Sequence, residues 1–179
     1  MTLDVELEKT VVARHVLKLV EGIELLGLGS GTTVAKFVEV LSSSQLARKI
    51  KVIPSSSQIE AIARKNNLEI VDPSYGKPEI TIDGADEIDS DLNLLKGGGG
   101  ALVREKILAT NSDYYVIIAD HTKVVERLCT RKPLPIEVLP YGLEWTLGML
   151  EQSLNVEVSL REINGDLFIS DNGNYIVDA

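Results

Sequence analysis

Apolar and polar positions along the chain change period several times, and those changes mark its elements. From Val5 to Val20 apolar residues recur at helical spacing, with Leu7, Val11, Val12, Val16, Leu19 and Val20 in one broad stripe, which predicts a helix packed on a sheet. Ile23 to Leu28 is a short apolar run ending in glycines, and Val34 to Leu41 returns to helical spacing, so a glycine turn joins a buried strand to a helix. The alternation continues with Lys51-Val52-Ile53 as strand, Gln58 to Asn66 as helix, Leu68 to Val71 as strand and Ile80-Thr81-Ile82 as strand ending at Asp83. Leu92 to Leu95 reads as a further strand, Ala101 to Thr110 as a helix and Tyr114 to Ala119 as a buried strand. Strands that alternate with helices predict an α/β fold, a Rossmann-like parallel sheet with helices on both faces.

After Pro133 and Pro135 the texture changes. Ile136-Glu137-Val138 and Val156-Glu157-Val158 alternate as half-exposed strands do, a helix runs from Tyr141 to Leu154 between them, and Asn164-Gly165 and Asn172-Gly173 mark two hairpin-type turns. This predicts a small α+β appendage, with residues 1–131 as the Rossmann-like catalytic domain and 132–179 as the small domain. Trp145 is expected in the core of the appendage.

Composition narrows the class. The chain has 179 residues, enough for one substantial core, and 18 basic against 27 acidic residues give a formal charge of −9. Such a charge repels nucleic acid and anionic membrane, so an anionic ligand must be met by local donors. Cys129 is the single cysteine, which excludes an internal disulfide and disfavours a thiolate zinc site, and His15 and His121 lack ligand spacing. The start, Met1-Thr2-Leu3-Asp4, lacks the pattern of a signal or transit peptide, and no apolar stretch has the length of a membrane span. A cytoplasmic location is expected.

Three short runs carry the candidate chemistry, and each falls at the carboxyl end of an expected strand, where ligands bind in parallel α/β sheets. Gly27-Leu28-Gly29-Ser30-Gly31-Thr32-Thr33 offers the amides of Ser30, Gly31, Thr32 and Thr33 at a helix N-terminus, with three hydroxyls beside them; phosphate is the natural guest, and a plain capped turn is the bland alternative. No Gly-Lys-Ser/Thr follows, which excludes a Walker loop, and Thr32 stands where a dinucleotide fingerprint has its third glycine. Asp83 and Asp86 flank Gly84-Ala85, a turn too small to screen them; the carboxylates suit sugar hydroxyls or a divalent metal, while Glu87 and Asp89 are expected to face solvent. Lys96-Gly97-Gly98-Gly99-Gly100 pairs a cation with bare backbone that a ligand can approach closely. Glu105, on the expected helix, falls among Ala101, Leu102, Leu108 and Ala109 on its apolar side, where burial favours the protonated form and suits a carboxylate to general-base work near neutrality. Lys123, after Asp120-His121-Thr122, sits at another strand end.

Taken together, the glycine-hydroxyl run, Asp83-Gly84-Ala85-Asp86-Glu87-Ile88, Lys96-Gly97-Gly98-Gly99-Gly100-Ala101-Leu102 with Arg104-Glu105-Lys106, Ile118-Ala119-Asp120 with Lys123, Pro133-Leu134-Pro135-Ile136-Glu137-Val138 and Asp171-Asn172-Gly173-Asn174 resemble the ribose-5-phosphate isomerase type A family over nearly the whole chain. The resemblance implies interconversion of D-ribose 5-phosphate and D-ribulose 5-phosphate in the non-oxidative pentose phosphate pathway, with no metal or organic cofactor and with a homodimer or homotetramer as the assembly. It makes Glu105 the catalytic proton acceptor and gives Asp83 a part in ring opening and Lys96 a part in stabilising the enediolate. Substrate binding falls to Ser30, Gly31, Thr32, Thr33, Asp83, Gly84, Ala85, Asp86, Lys96, Gly97, Gly98, Gly99 and Lys123, with Lys9 as a weaker candidate. The family usually has Thr-Gly-Ser-Thr where this chain has Ser30-Gly31-Thr32-Thr33, a swap that keeps every hydroxyl. Family members continue past the Asp-Asn-Gly-Asn segment, so the sequence is expected to be a short member or a fragment, with the small domain incomplete at its C-terminus. Two other classes stand beside the isomerase: a sugar-phosphate-binding regulatory module without catalysis, which would not need Glu105, and a metal-dependent phosphohydrolase built on Asp83 and Asp86.

Overall fold

The computed structural model describes residues 4–179. Residues 1–3, which belong to the start read above for a leader, lie outside that range. In chain order the elements are α1 (Val5–Val16), β1 (Leu25–Leu28), α2 (Thr32–Ser42), β2 (Lys51–Pro54), α3 (Ser57–Lys65), β3 (Glu69–Ile70), β4 (Ile80–Asp83), β5 (Glu87–Ile88), β6 (Leu94–Leu95), α4 (Leu102–Asn111) and β7 (Tyr114–Ile117). They continue with β8 (Pro135–Val138), α5 (Leu143–Leu154), β9 (Ser159–Leu160), β10 (Glu162–Ile163), β11 (Asp166–Leu167) and β12 (Tyr175–Asp178). Two compact units share this order: residues 1–85 with 103–124, and residues 86–102 with 125–179. The sequence reading divides the chain once, at 131/132, whereas these units interleave.

The first unit is the α/β part. Its sheet has the order β3-β2-β1-β4-β7 with every pair parallel. Alternation along each strand assigns the two faces. Leu26, Leu28, Val52, Ile80 and Ile82 join Ala13 and Val16 of α1, Val34, Phe37, Val38 and Leu41 of α2 and Ile59 and Ala63 of α3 in one buried cluster. Leu25 and Ile53 face the other way and meet Leu108 of α4. Helices therefore cover both faces, as the alternation of periods predicts.

Two expectations for this unit need correction. Leu7, Val11 and Leu19 are exposed, and the buried side of α1 is Lys9, Ala13 and Val16. Leu7 and Val11 lie on the opposite side of α1 from these three, and beyond Val16 a 3₁₀ turn over Leu17–Val20 shifts the phase, which leaves Leu19 outside the stripe. The strand at 114–119 is not wholly buried: β7 is an edge strand, and Tyr114 is 70% exposed.

The second unit is α+β. A three-stranded antiparallel sheet has the order β8-β12-β9, and β10-β11 and β5-β6 are antiparallel pairs. Asn164 (φ 57°) and Gly165 (φ 86°) supply the paired positive φ angles that the β10-β11 turn requires. Only Leu94–Leu95 of the expected 92–95 strand pairs, and it pairs with β5 rather than joining the parallel sheet. Asp89 is the cause, since its carboxylate accepts the backbone N–H groups of Asp91 and Asn93 and closes a turn there. Glu87 does not face solvent; it is 1% exposed, and its carboxylate accepts the N–H groups of Cys129 (2.6 Å), Arg131 (2.7 Å) and Lys132 (3.0 Å). Burial pushes this carboxyl's pKa up, but the amides outweigh that effect and hold it below the ordinary glutamate value. Trp145 is 73% exposed rather than core, and no residue of α5 is buried. Among the described residues no helix is long and apolar enough to cross a membrane.

Candidate functional site

At the carboxyl ends of β1 and β4 the first unit gathers the residues expected to do chemistry. Thr81 and Asp83 point to the face covered by α4, opposite Ile80 and Ile82. Helix α4 runs back along that face: Ser112, just past its end, meets the Thr81 hydroxyl at 2.6 Å, Leu108 packs on Leu25 and Ile53, and Glu105 lies one turn nearer the strand ends. Glu105 is 4% exposed, and the Ser30 hydroxyl donates to its Oε1.

Ser30 serves two carboxylates. Its hydroxyl goes to Glu105, while its backbone N–H donates to Asp83 Oδ1 at 3.2 Å. Asp83 is fully buried; Oδ1 also takes the Gly84 N–H at 2.7 Å, and Oδ2 takes the Tyr115 hydroxyl at 2.7 Å. Space for this carboxylate comes from Gly29, where a Cβ would lie 2.0 Å from Asp83 Cγ. Gly29 is therefore required by its neighbour more than by a turn. Backbone freedom matters at Gly31, whose φ of 91° makes it the N-cap of α2 with no side chain over the first turn. Gly31 and Thr32 are exposed there, and Thr33 is buried at 6%.

Lys123 ends a 3₁₀ turn over His121–Lys123 and is half-buried. The turn is anchored by Asp120, whose carboxylate accepts the Thr122 N–H and hydroxyl, and by Glu8 of α1, which accepts the His121 backbone N–H (3.1 Å) and lies 2.7 Å from its ring Nδ1. Burial raises the Asp120 pKa, but the Thr122 hydrogen bonds and the charges of Lys123 and Lys9 outweigh it and leave the carboxyl below its usual value. Lys9 is buried and pairs with Glu6 at 2.8 Å. Glu8, Asp120 and His121 bring ligand-type atoms within 4.8 Å of one another, the one such cluster of three among the described residues.

The remaining candidates lie in the second unit. Asp86 accepts the Gly98 N–H at 2.7 Å. Lys96 is half-buried at the end of β6, Gly97 is buried with φ 100°, and Gly98 and Gly99 are exposed. Arg161 shapes the glycine run. Its Nη1 donates to the carbonyls of Gly97 (3.2 Å) and Gly98 (2.9 Å), while Nε donates to Asp178 at 2.9 Å and Nη2 pairs with the same carboxylate. Asp86, Gly98, Lys132, Pro133, Arg161 and Asp178 line a cavity of about 270 Å³. Glu137 Oε1 accepts Ser170 Oγ, Asn172 Nδ2 and Asn174 Nδ2 at 2.7, 3.0 and 2.9 Å, so the Asp-Asn-Gly-Asn run is a turn latched to β8. The sequence reading did not find Tyr115, Arg161 or this use of Glu137. Tyr115 carries no local signal in the sequence, because its place beside Thr81 is set by the register of β4 and β7.

A parallel α/β sheet carries here a buried, serine-bridged pair of carboxylates beside a helix N-terminus, an arrangement suited to acid–base chemistry on a small anionic ligand. A family model for ribose 5-phosphate isomerase A (phosphoriboisomerase A) matches residues 51–179, and the chain belongs to that family. The ribose-5-phosphate isomerase A of Korarchaeum cryptofilum is 62% identical over 174 residues, 97% of this chain and 77% of that protein. Among solved structures, a D-ribose-5-phosphate isomerase in complex with phospho-erythronic acid superposes with a TM-score of 0.90 at 35% identity, covering 99% of this chain and 80% of that one. The ribose 5-phosphate isomerase A of Methanocaldococcus jannaschii matches with a TM-score of 0.90 at 32% identity, covering 98% of this chain and 80% of that one.

Proposed function

We propose that this chain interconverts D-ribose 5-phosphate and D-ribulose 5-phosphate by enediolate proton transfer, a step of the non-oxidative pentose phosphate pathway. The observation that carries the mechanism is Glu105, 4% exposed at the strand ends and held by the Ser30 hydroxyl. In this reading Glu105 takes the C2 proton of the open-chain aldose, the C2–H electron pair forms the C1–C2 double bond and the carbonyl pair moves to O1 as an enediolate. The O2 proton passes to O1, and Glu105 then returns its proton to C1 as the electron pair on O2 makes C2 the carbonyl. Ring opening precedes this: the C1–O4 bond breaks with its electron pair on O4, O1 gives up a proton and O4 takes one. Asp83 exchanges those protons. Gly84 and Ala85 beside it are half-buried, and Gly84 has no side chain to stand between Asp83 and a sugar laid on that turn.

The entry to α2, Ser30 to Thr33, is read as the phosphate cradle, with Gly31 to Thr33 as its donors because those of Ser30 go to Asp83 and Glu105, and Lys123 as a further cation for the substrate. For Asp86 and the Lys96-to-Gly99 run the reading rests on the family motif, with Lys96 stabilising the enediolate oxygen. The relative in complex with phospho-erythronic acid, a phosphorylated sugar acid, supports a ligand of this chemical type. The reading includes a homodimer or homotetramer and a cytoplasmic location. An apolar row of Tyr141, Trp145 and Met149, 85, 73 and 60% exposed, supports association.

Turnover of ribose 5-phosphate in the presence of chelator tests the proposal, run beside Glu105→Gln. Activity that persists in chelator and falls by at least about a thousandfold in the variant, the scale of losing the proton-transferring group, is the expected result. Loss of wild-type activity in chelator, or a Gln variant as active as wild type, would sink it.

A further inference from the structure

Tyr115 was not among the residues the sequence singled out, yet its hydroxyl belongs to the polar group around Asp83. Its register opposite Thr81 on the neighbouring parallel strand sends its side chain to the face that holds Thr81 and Asp83, one strand step short of the carboxylate. The phenol spans that step and donates to Asp83 Oδ2 at 2.7 Å. The backbone N–H groups of Ser30 and Gly84 go to the other oxygen, Oδ1. Gly29 closes the carboxylate on a further side, with room for no more than a hydrogen.

We infer that Tyr115 is a positioning residue of the isomerisation, fixing the rotation of the Asp83 carboxylate through Oδ2 while backbone amides hold Oδ1. The inference rests on the reading of Asp83 as the group that serves ring opening. A carboxylate that must take a proton at one sugar oxygen and return one at another has to present a defined edge, and a donor on each oxygen sets that edge more closely than donors on one oxygen alone. The phenol supplies the donor on Oδ2. It acts as a donor throughout: burial first, then the charge of Asp83, the hydrogen bond to it and the charge of Glu105 all push the Tyr115 pKa far above the ordinary phenol value. Tyr115 reaches the substrate through Asp83 and not by contact, so its loss belongs in kcat and not in KM.

Tyr115→Phe keeps the ring and removes the donor. The expected result is a kcat lowered about tenfold, the size of one hydrogen bond to a charged group, with KM within about twofold of wild type and the thermal midpoint within a few degrees. An unchanged kcat overturns the inference. So does a variant whose KM rises and whose melting temperature falls in step with activity, because that pattern marks a packing role only. Asp83→Asn, measured alongside, separates the two levels. If it abolishes turnover while Tyr115→Phe behaves as wild type, the inference fails and the ring-opening assignment stands. If Asp83→Asn retains wild-type turnover, the assignment of Asp83 fails and takes the inference with it.

Discussion

Gly29 shows how much of this site is set by a single missing side chain. A methyl group there would overlap the carboxyl carbon and Oδ1 of Asp83, each 2.0 Å away, and Asp83 cannot retreat without giving up the Ser30, Gly84 and Tyr115 hydrogen bonds. Gly29→Ala is therefore expected to lower stability by about 1 to 3 kcal/mol, the range of an overpacked core, and to lower kcat more than tenfold because the displaced carboxylate is the group proposed to serve ring opening. Chemical denaturation and steady-state kinetics on the one variant check both halves. Glu105 was legible in the sequence because a charged residue among Leu102, Leu108 and Ala109 contradicts the helical pattern around it, and a contradiction of that kind needs no partner to be seen. Tyr115 and Arg161 contradict nothing locally. Their importance lies in Asp83, 32 residues away, and in the Gly97 and Gly98 carbonyls, 64 and 63 residues away, which no periodicity reveals.

At the scale of elements, the alternation of periods located the parallel sheet and its helices, because burial on both faces writes a strong pattern into each strand. It misplaced short pieces governed by side-chain-to-backbone bonds. Asp89 pulls 89–93 into a turn and shortens β6 to two residues, and Glu87, which reads as a surface charge, collects the amides of 129, 131 and 132. That cluster makes the second unit sensitive to acid. Because the folded-state pKa of Glu87 lies below the ordinary glutamate value, its contribution to stability is complete above that value and is lost as pH falls through it toward the lowered one. Thermal melts at neutral pH and at successively lower pH should show wild type losing stability through this window. Glu87→Gln, with no charge to neutralise there, should begin less stable and lose less over the same interval. Parallel declines in the two proteins would refute the assignment.

For the whole molecule, the boundary read at 131/132 follows a change of texture, the prolines and the onset of half-exposed strands, while the compact units are defined by packing. Residues 86–102 belong with 125–179, although α4 and β7 stand between them in the sequence. A protein ending at residue 131 would carry β5 and β6 without the β8-β12-β9 sheet and would lack the Lys132 amide from Glu87. Limited proteolysis of that truncated chain, read by mass, is expected to cut within 86–102 well before 4–85 or 103–124; equal protection of all three stretches would count against this partition. The same interleaving bears on heredity. The chain passes between its units at 85/86, 102/103 and 124/125, so exchanging one unit between two divergent genes of this family while leaving the other undivided takes three crossovers. Every single recombinant joins segments with separate histories inside at least one unit, so lineages of this fold are expected to inherit the two units together.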